Sequence, residues 1–140
     1  MKKTINYAVV IRVPIDKVWE ALVDGKVIEQ WGAGPAKMEA RAGVDFSFWG
    51  GDIYGTNLSV KPMKELVQAW LTKGWKEPSR VVFRLEALKK GTRVRLSHSR
   101  LPEDEYEEIK KGWNHYFFEP MKVFLEEKYN QVEVEYHQGG

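Results

Sequence analysis

The sequence predicts an α+β fold: a curved antiparallel sheet of about seven strands wrapped around a long C-terminal helix, with two short helices after the first strand. Three observations predict it. Strand alternation over the first residues gives way at Pro14 to helical spacing. Residues 36–99 then read as strands broken by tight turns. Residues 102–129 read as a helical region with more aromatic residues than a narrow stripe requires. Helices kept apart from a run of antiparallel strands bury their apolar stripes against one sheet face.

Each element has a local cause. Ile5, Tyr7, Val9, Ile11 and Val13 recur with period two, which marks a strand and not the apolar run of a signal sequence. Pro14 suits the start of a helix, and Ile15, Val18, Trp19 and Leu22 follow at i, i+3, i+4 and i+7. Asp24-Gly25 stops that helix. A second short helix covers Lys26 to Trp31, with Val27, Ile28 and Trp31 on one side, until Gly32, Gly34 and Pro35 break it. Phe46 and Phe48 alternate before a tight hairpin at Gly50-Gly51-Asp52. Tyr54 to Lys61, Leu66 to Leu71, Arg80 to Leu88 and Thr92 to Ser99 follow as a meander, the last two joined by Lys89-Lys90-Gly91.

A chain of 140 residues can bury a core of its own. Residues 1–130 are read as a single domain. Residues 131–140, in which Val132, Val134 and Tyr136 alternate before Gly-Gly, are read as a tail, either a short added strand or a loose end. No cysteine is present, which excludes disulfides, thiolate metal sites and cysteine nucleophiles. That fits a reducing compartment, and a soluble cytoplasmic protein is expected. No segment approaches the roughly 18 apolar residues of a membrane span. Twenty-two basic and 20 acidic residues leave a net charge of +2, too even to argue for nucleic acid.

The last helix raises the functional question. At about 100° per residue, Tyr106, Ile109, Trp113, Tyr116, Phe117, Pro120, Met121 and Phe124 share one face, and Phe118 and Leu125 widen it. Lys111, His115, Lys122 and Glu126 lie opposite. Pro120 has no N–H for the Tyr116 carbonyl and its ring crowds that carbonyl, so a kink is expected there. Gly112 is a second weak point. A bent helix over a curved sheet leaves room for two readings. The aromatic side chains fill the hollow themselves, or they line a pocket for a small apolar or amphipathic molecule.

At this point the sequence resembles the START-like (SRPBCC) superfamily of helix-grip proteins. Within it, the chain is most similar to the family related to the C-terminal domain of activators of the heat-shock-protein-90 ATPase. The resemblance runs from Ile5 to about Tyr129. It is carried by VPIDKVWEALVD, IEQWGAGPAKMEARAG, YGTNLSVKPMKELVQAW, FRLEALKKGTRVRLSHSRLPE and, most specifically, GWNHYFFEP. It implies a curved sheet gripping the last helix, often with an apolar cavity between them. Where the family often has paired glycines, this chain reads Arg41-Ala42-Gly43-Val44. The eukaryotic activators also carry a separate N-terminal domain that takes part in chaperone binding, and no counterpart is expected here.

Alternation assigns the inner face. Leu66, Gln68 and Trp70, then Val81, Phe83 and Leu85, then Val94, Leu96 and His98 should point inward, with Arg93, Arg95, Ser97 and Ser99 outward. The residues expected around a ligand are Phe48, Tyr54, Gln68, Trp70, Phe83, His98, Trp113 and Phe117. Gln68 and His98 are the polar members, needing partners from backbone, water, or a ligand's polar end. Lys89, Lys90, Arg93, Arg95 and Arg100 form a basic cluster on one hairpin. Either it is a solvated face or it docks an acidic partner. Trp75 sits in the loop LTKGWKEPSR beside lysines; it is an exposed anchor for a partner or folds back over the cavity mouth. Trp75, Arg93 and Arg95 are thus the expected partner contacts.

No catalytic constellation stands out. His98, His115 and His137 lack metal-ligand spacing, and the glycines of WGAGP and WGGD lack the strand-then-helix context of a phosphate loop. No cofactor or metal is expected. Three functions compete. The first is binding of a small apolar molecule between sheet and helix. The second is a protein-interaction module that stimulates a heat-shock chaperone ATPase. The third, a cyclase- or hydratase-type enzyme, needs a carboxylate beside His98 that the pattern does not supply. A monomer or weak homodimer is expected.

Overall fold

Period-two alternation becomes six antiparallel strands in a computed structural model, which describes the backbone of residues 2–139 and the side chains of residues 3–130. The strands are β1 (Lys2–Ile11), β2 (Asp45–Phe48), β3 (Ile53–Lys61), β4 (Glu65–Thr72), β5 (Ser79–Leu88) and β6 (Gly91–Pro102). Their order in the sheet is β1-β6-β5-β4-β3-β2, a meander from β2 to β6 with β1 added along β6. Between β1 and β2 lie α1 (Ile15–Val23) and α2 (Gly25–Trp31). The sheet has six strands and not about seven: residues 36–44 meet it through an isolated bridge between Lys37 and Ser47 and through bonds to Asn57, without forming a strand of their own. The tail at 131–140 lies outside the fully described residues.

The short helices end where their sequence says they should. Pro14, at φ −59°, precedes α1. Asp24 serves both helices: its N–H closes α1 on the Glu20 carbonyl, and its carboxylate caps α2 by accepting from the Lys26 N–H. Gly32 ends α2 at φ 124°, a backbone state that side chains disfavour. Trp31 donates its indole N–H to the Ala21 carbonyl at 2.9 Å, locking α2 against α1.

The concave face is the one expected for β4, β5 and β6. Leu66, Gln68, Trp70, Val81, Phe83, Leu85, Val94, Leu96 and His98 are all buried. In β3 the phase is the reverse of that expected for Tyr54. Phe48 pairs with Ile53 and Phe46 with Gly55, and residues paired across two strands share a face. Ile53, Gly55 and Asn57 therefore point inward, while Tyr54 stands outward at 41% exposure.

The C-terminal region departs from regular α-helix upstream of Pro120. A single 3-10 turn leads into α3 (Tyr106–Gly112), then a π-helical turn spans Trp113–Phe118, and α4 (Glu119–Gly139) follows. One extra residue in the turn lets the chain reach Pro120 without demanding its missing N–H. It also rotates the buried stripe. Trp113, Phe117 and Phe118 all reach the core, and Tyr116, expected on that face, is turned outward to 63% exposure. Past the turn, α4 is tied to β1 and the residue after it. Lys122 donates to the Val10 carbonyl at 2.6 Å, and the Glu126 carboxylate accepts the Arg12 N–H at 2.8 Å.

β3 passes close to β4 at Gly55. A Cβ on Gly55 would overlap the Ala69 carbonyl and press to 3.0 Å from the Phe46 ring. Gly55→Ala is expected to cost at least about 3 kcal/mol, because backbone on one side and a packed ring on the other leave nothing to yield. Chemical denaturation of the variant checks this, and a loss under about 1 kcal/mol would contradict the close approach.

Candidate functional site

The hollow between sheet and helix holds rings. Trp113 lies on Trp70 with centroids 4.7 Å apart, and Phe117 meets Trp113 at 4.8 Å and Trp31 at 4.8 Å. Phe83 stacks on Phe117 at 5.8 Å and meets Trp113 edge-on at 5.8 Å. Phe48 closes one side against Trp70 and Phe117. Of the residues expected around a ligand, Phe48, Gln68, Trp70, Phe83, His98, Trp113 and Phe117 are brought together, and Tyr54 is not. Those seven touch one another directly. Of the two readings of the hollow, aromatic filling or a lined pocket, the rings seen here pack against one another.

The polar members are spent in the same way. The Trp113 indole N–H points at His98 Nδ1, 2.9 Å away. An indole nitrogen only donates, so Nδ1 accepts and the neutral ring carries its proton on Nε2. That Nε2–H donates to the Ser79 hydroxyl at 2.7 Å, and the hydroxyl passes its proton toward the Trp70 carbonyl at 3.3 Å. His98 is 1% exposed, and burial pushes its pKa down from 6.5 to about 3. A charged ring would also aim a second N–H at the Trp113 indole. The groups around the ring are Ser79, Trp70 and Trp113, where acid–base chemistry needs a carboxylate.

A second chain of bonds runs beside the first. Trp70 donates to Gln68 Oε1 at 2.7 Å, Gln68 Nε2 donates to Asn57 Oδ1 at 2.9 Å, and Asn57 Nδ2 donates to the carbonyls of Glu39 and Arg41. No described buried side-chain nitrogen or oxygen lacks a partner. Each side-chain polar atom of Gln68 and His98 thus has a partner within the protein. To seat a ligand here, Trp113 would first have to move, leaving His98 Nδ1 unpaired at about 1–3 kcal/mol. Each ring contact broken adds about 0.5–1.5 kcal/mol.

An opening lies at the rim. Trp49, Ile53, Ile109, Gly112 and Tyr116 frame an apolar cleft of about 150 Å³ whose floor is Trp70, Trp113 and Phe117. Trp75 is half-buried against the core and donates its indole N–H to Glu105 at 2.8 Å. It ties the β4–β5 loop to the turn before α3. Arg93 is paired with Glu86 at 2.8 Å, whereas Arg95 is exposed with no acidic partner among the described residues.

Several site residues were not singled out from the sequence. Ser79 continues the inward alternation of Val81, Phe83 and Leu85 backward by one step, so its signal was present. Asn57 was hidden by the reversed phase of β3. Trp49 carries φ 50° between β2 and β3 and reaches the Gly32 carbonyl with its indole, a placement no pattern announces. No described helix is long and apolar enough to cross a membrane.

The family model described as "Activator of Hsp90 ATPase homolog 1-like protein" matches residues 12–126. The human protein named "Activator of 90 kDa heat shock protein ATPase homolog 1" is 25% identical over 109 residues, which cover 76% of this chain but 32% of that one. The chain thus spans about a third of the length of that curated relative. Among solved structures, the Mesorhizobium loti protein MLL2253 aligns with TM-score 0.77 and 29% identity, over 88% of this chain and 96% of that one. The Plasmodium falciparum HSP90 activator PFC0360w aligns with TM-score 0.76 at 24% identity, over 89% and 96% of the two chains, a likeness of fold.

The buried His98 sets a pH dependence. Its folded pKa of about 3 lies below the unfolded value of 6.5, so the unfolded chain binds more protons between these values. The contribution is complete above pH 6.5 and is lost as pH falls, by about 2 kcal/mol at pH 5. His98→Gln can keep both hydrogen bonds without titrating. Denaturant unfolding of both proteins at pH 7 and pH 5 should show a steeper decline for the wild type. Parallel declines would refute a neutral His98.

Proposed function

From the premise that the chain belongs to the family of Activator of Hsp90 ATPase homolog 1-like proteins, we propose that it is a protein-interaction module that binds a heat-shock chaperone ATPase through its surface. The observation that carries this reading is the filled interior. A concave sheet whose polar groups are paired and whose hollow is stacked with Trp70, Phe83, Trp113 and Phe117 works as a rigid scaffold. Function then belongs to the outside of the molecule. The names of the curated relatives, activators of a 90-kDa heat-shock ATPase, support the choice of partner, and their greater length makes the activation itself part of the proposal.

The rim cleft favours a second, narrower reading. Its walls are apolar and its volume of about 150 Å³ suits a single ring or short alkyl group, not a lipid or polyketide. In this form small-molecule binding survives as capture of one apolar group beside Tyr116.

Adding the purified full chain to a 90-kDa heat-shock ATPase from the same source should raise its ATP turnover by a few-fold, with saturable binding by calorimetry. No binding and no change in turnover would overturn the interaction reading. In parallel, a thermal-shift panel of fatty acids and fused-ring aromatics should leave the melting temperature unchanged. A stoichiometric ligand raising it by several degrees would instead restore an internal binding site.

A further inference from the structure

The sheet buries its concave face and leaves its convex face to solvent. On that face the strand register places Arg84 of β5 directly opposite Arg95 of β6. Like charges opposite each other destabilise a sheet, and here only one is compensated: Arg84 Nε bonds the Glu65 carboxylate at 3.0 Å. Arg95 has no acidic partner among the described residues. The two arginines border a shallow depression of about 320 Å³. Its floor consists of small or short residues, Asn6, Ala8, Val82 and Ser97. Asn6 pairs with Ser97, and Ala8 with Arg95, so β1 and β6 form a trough edged by guanidinium groups.

We propose that this convex trough is the docking surface for an extended acidic segment of a protein partner, whose carboxylates are held by Arg84 and Arg95. This inference rests on the interaction-module reading and locates its contact. The chemistry selects the occupant. A carboxylate accepts a planar fork of N–H groups from Arg95, and Ser97 and Asn6 add neutral hydrogen bonds. The surrounding face is mixed, with Arg80, Arg84, Arg93 and Arg95 against Glu65 and Glu86. The two glutamates would repel a continuous phosphate backbone, and the arginines carry no neighbouring aromatic platform for bases, so a protein segment with its own mixed charge fits better than nucleic acid. A second copy docked face to face would set Arg95 against Arg95, which disfavours self-association here.

The probe is a short peptide of alternating Glu and Gly residues, titrated into the isotopically labelled full chain at low salt. Backbone amide shifts should cluster on residues 6–8, 82–84 and 95–97. The double variant Arg84→Gln, Arg95→Gln should bind at least about tenfold more weakly with an unchanged melting temperature. Arg93→Gln, whose wild-type residue lies outside the depression, should change affinity by less than about twofold. Shifts elsewhere, no shifts, or undiminished affinity in the double variant would overturn the proposal. Tighter binding of a charge-matched oligouridylate at the same residues, or concentration-dependent dimerisation through them, would overturn it too. The ATPase arm separates the two levels. If the double variant stimulates the chaperone as fully as wild type, this surface falls and the chaperone reading stands. If the peptide binds the trough but the chaperone is never engaged, the surface stands and that reading falls.

Discussion

One helix has to fill a curved sheet, and the extra residue in the π-helical turn makes that possible. A regular α-helix through Trp113–Phe118 would present Trp113, Tyr116 and Phe117 inward and leave Phe118 at the margin. The wider turn presents Trp113, Phe117 and Phe118 together and turns Tyr116 out. Three large side chains then span the hollow from Trp70 on β4 to Tyr7 on β1, which stacks on Phe118 at 5.3 Å. Pro120 is the covalent reason the turn sits where it does, because the residue four before it has no N–H to receive.

Filling with indoles brings a requirement of its own, since each buried N–H needs an acceptor. Trp113 finds one in His98 and Trp70 in Gln68, and neither acceptor is backbone. The consequence runs outward through Ser79 on one side and Asn57 on the other, until backbone carbonyls end both chains. Buried polar residues that looked like ligand hooks are the second half of the aromatic packing. Their directionality fixes the rotamers of Trp70 and Trp113, which apolar packing alone leaves less defined.

Much of this was legible in the residues and some was not. The inward phase of β4, β5 and β6 followed from alternation, and every residue so assigned is buried. The phase of β3 did not follow, because the turn at Trp49–Gly51 consumes residues in a way that resets the count. Tyr54 was misplaced and Asn57 missed for that one reason. Pro120 announced a bend but not its form, and whether a proline yields a kink or an upstream π-turn depends on what the rotated face can pack against. Nor does alternation say whether an inward ring meets another ring or empty space. That depends on how closely the strands and the helix approach, as where Gly55 leaves no room for a Cβ beside Ala69.

A filled interior changes what the outer surface can be. A scaffold that must open to admit a ligand keeps part of its core loose, and that looseness reaches the strands. Here the described buried polar groups on the concave side are paired and its rings are stacked, which ties β4, β5 and β6 to the helix they face. Arg84 and Arg95 are held opposite one another by that rigidity. On a slack sheet the two like charges would relax apart by shifting register or curvature. Glu65 already compensates Arg84, so the charge left over is on Arg95, and an anionic group from outside relieves it most directly.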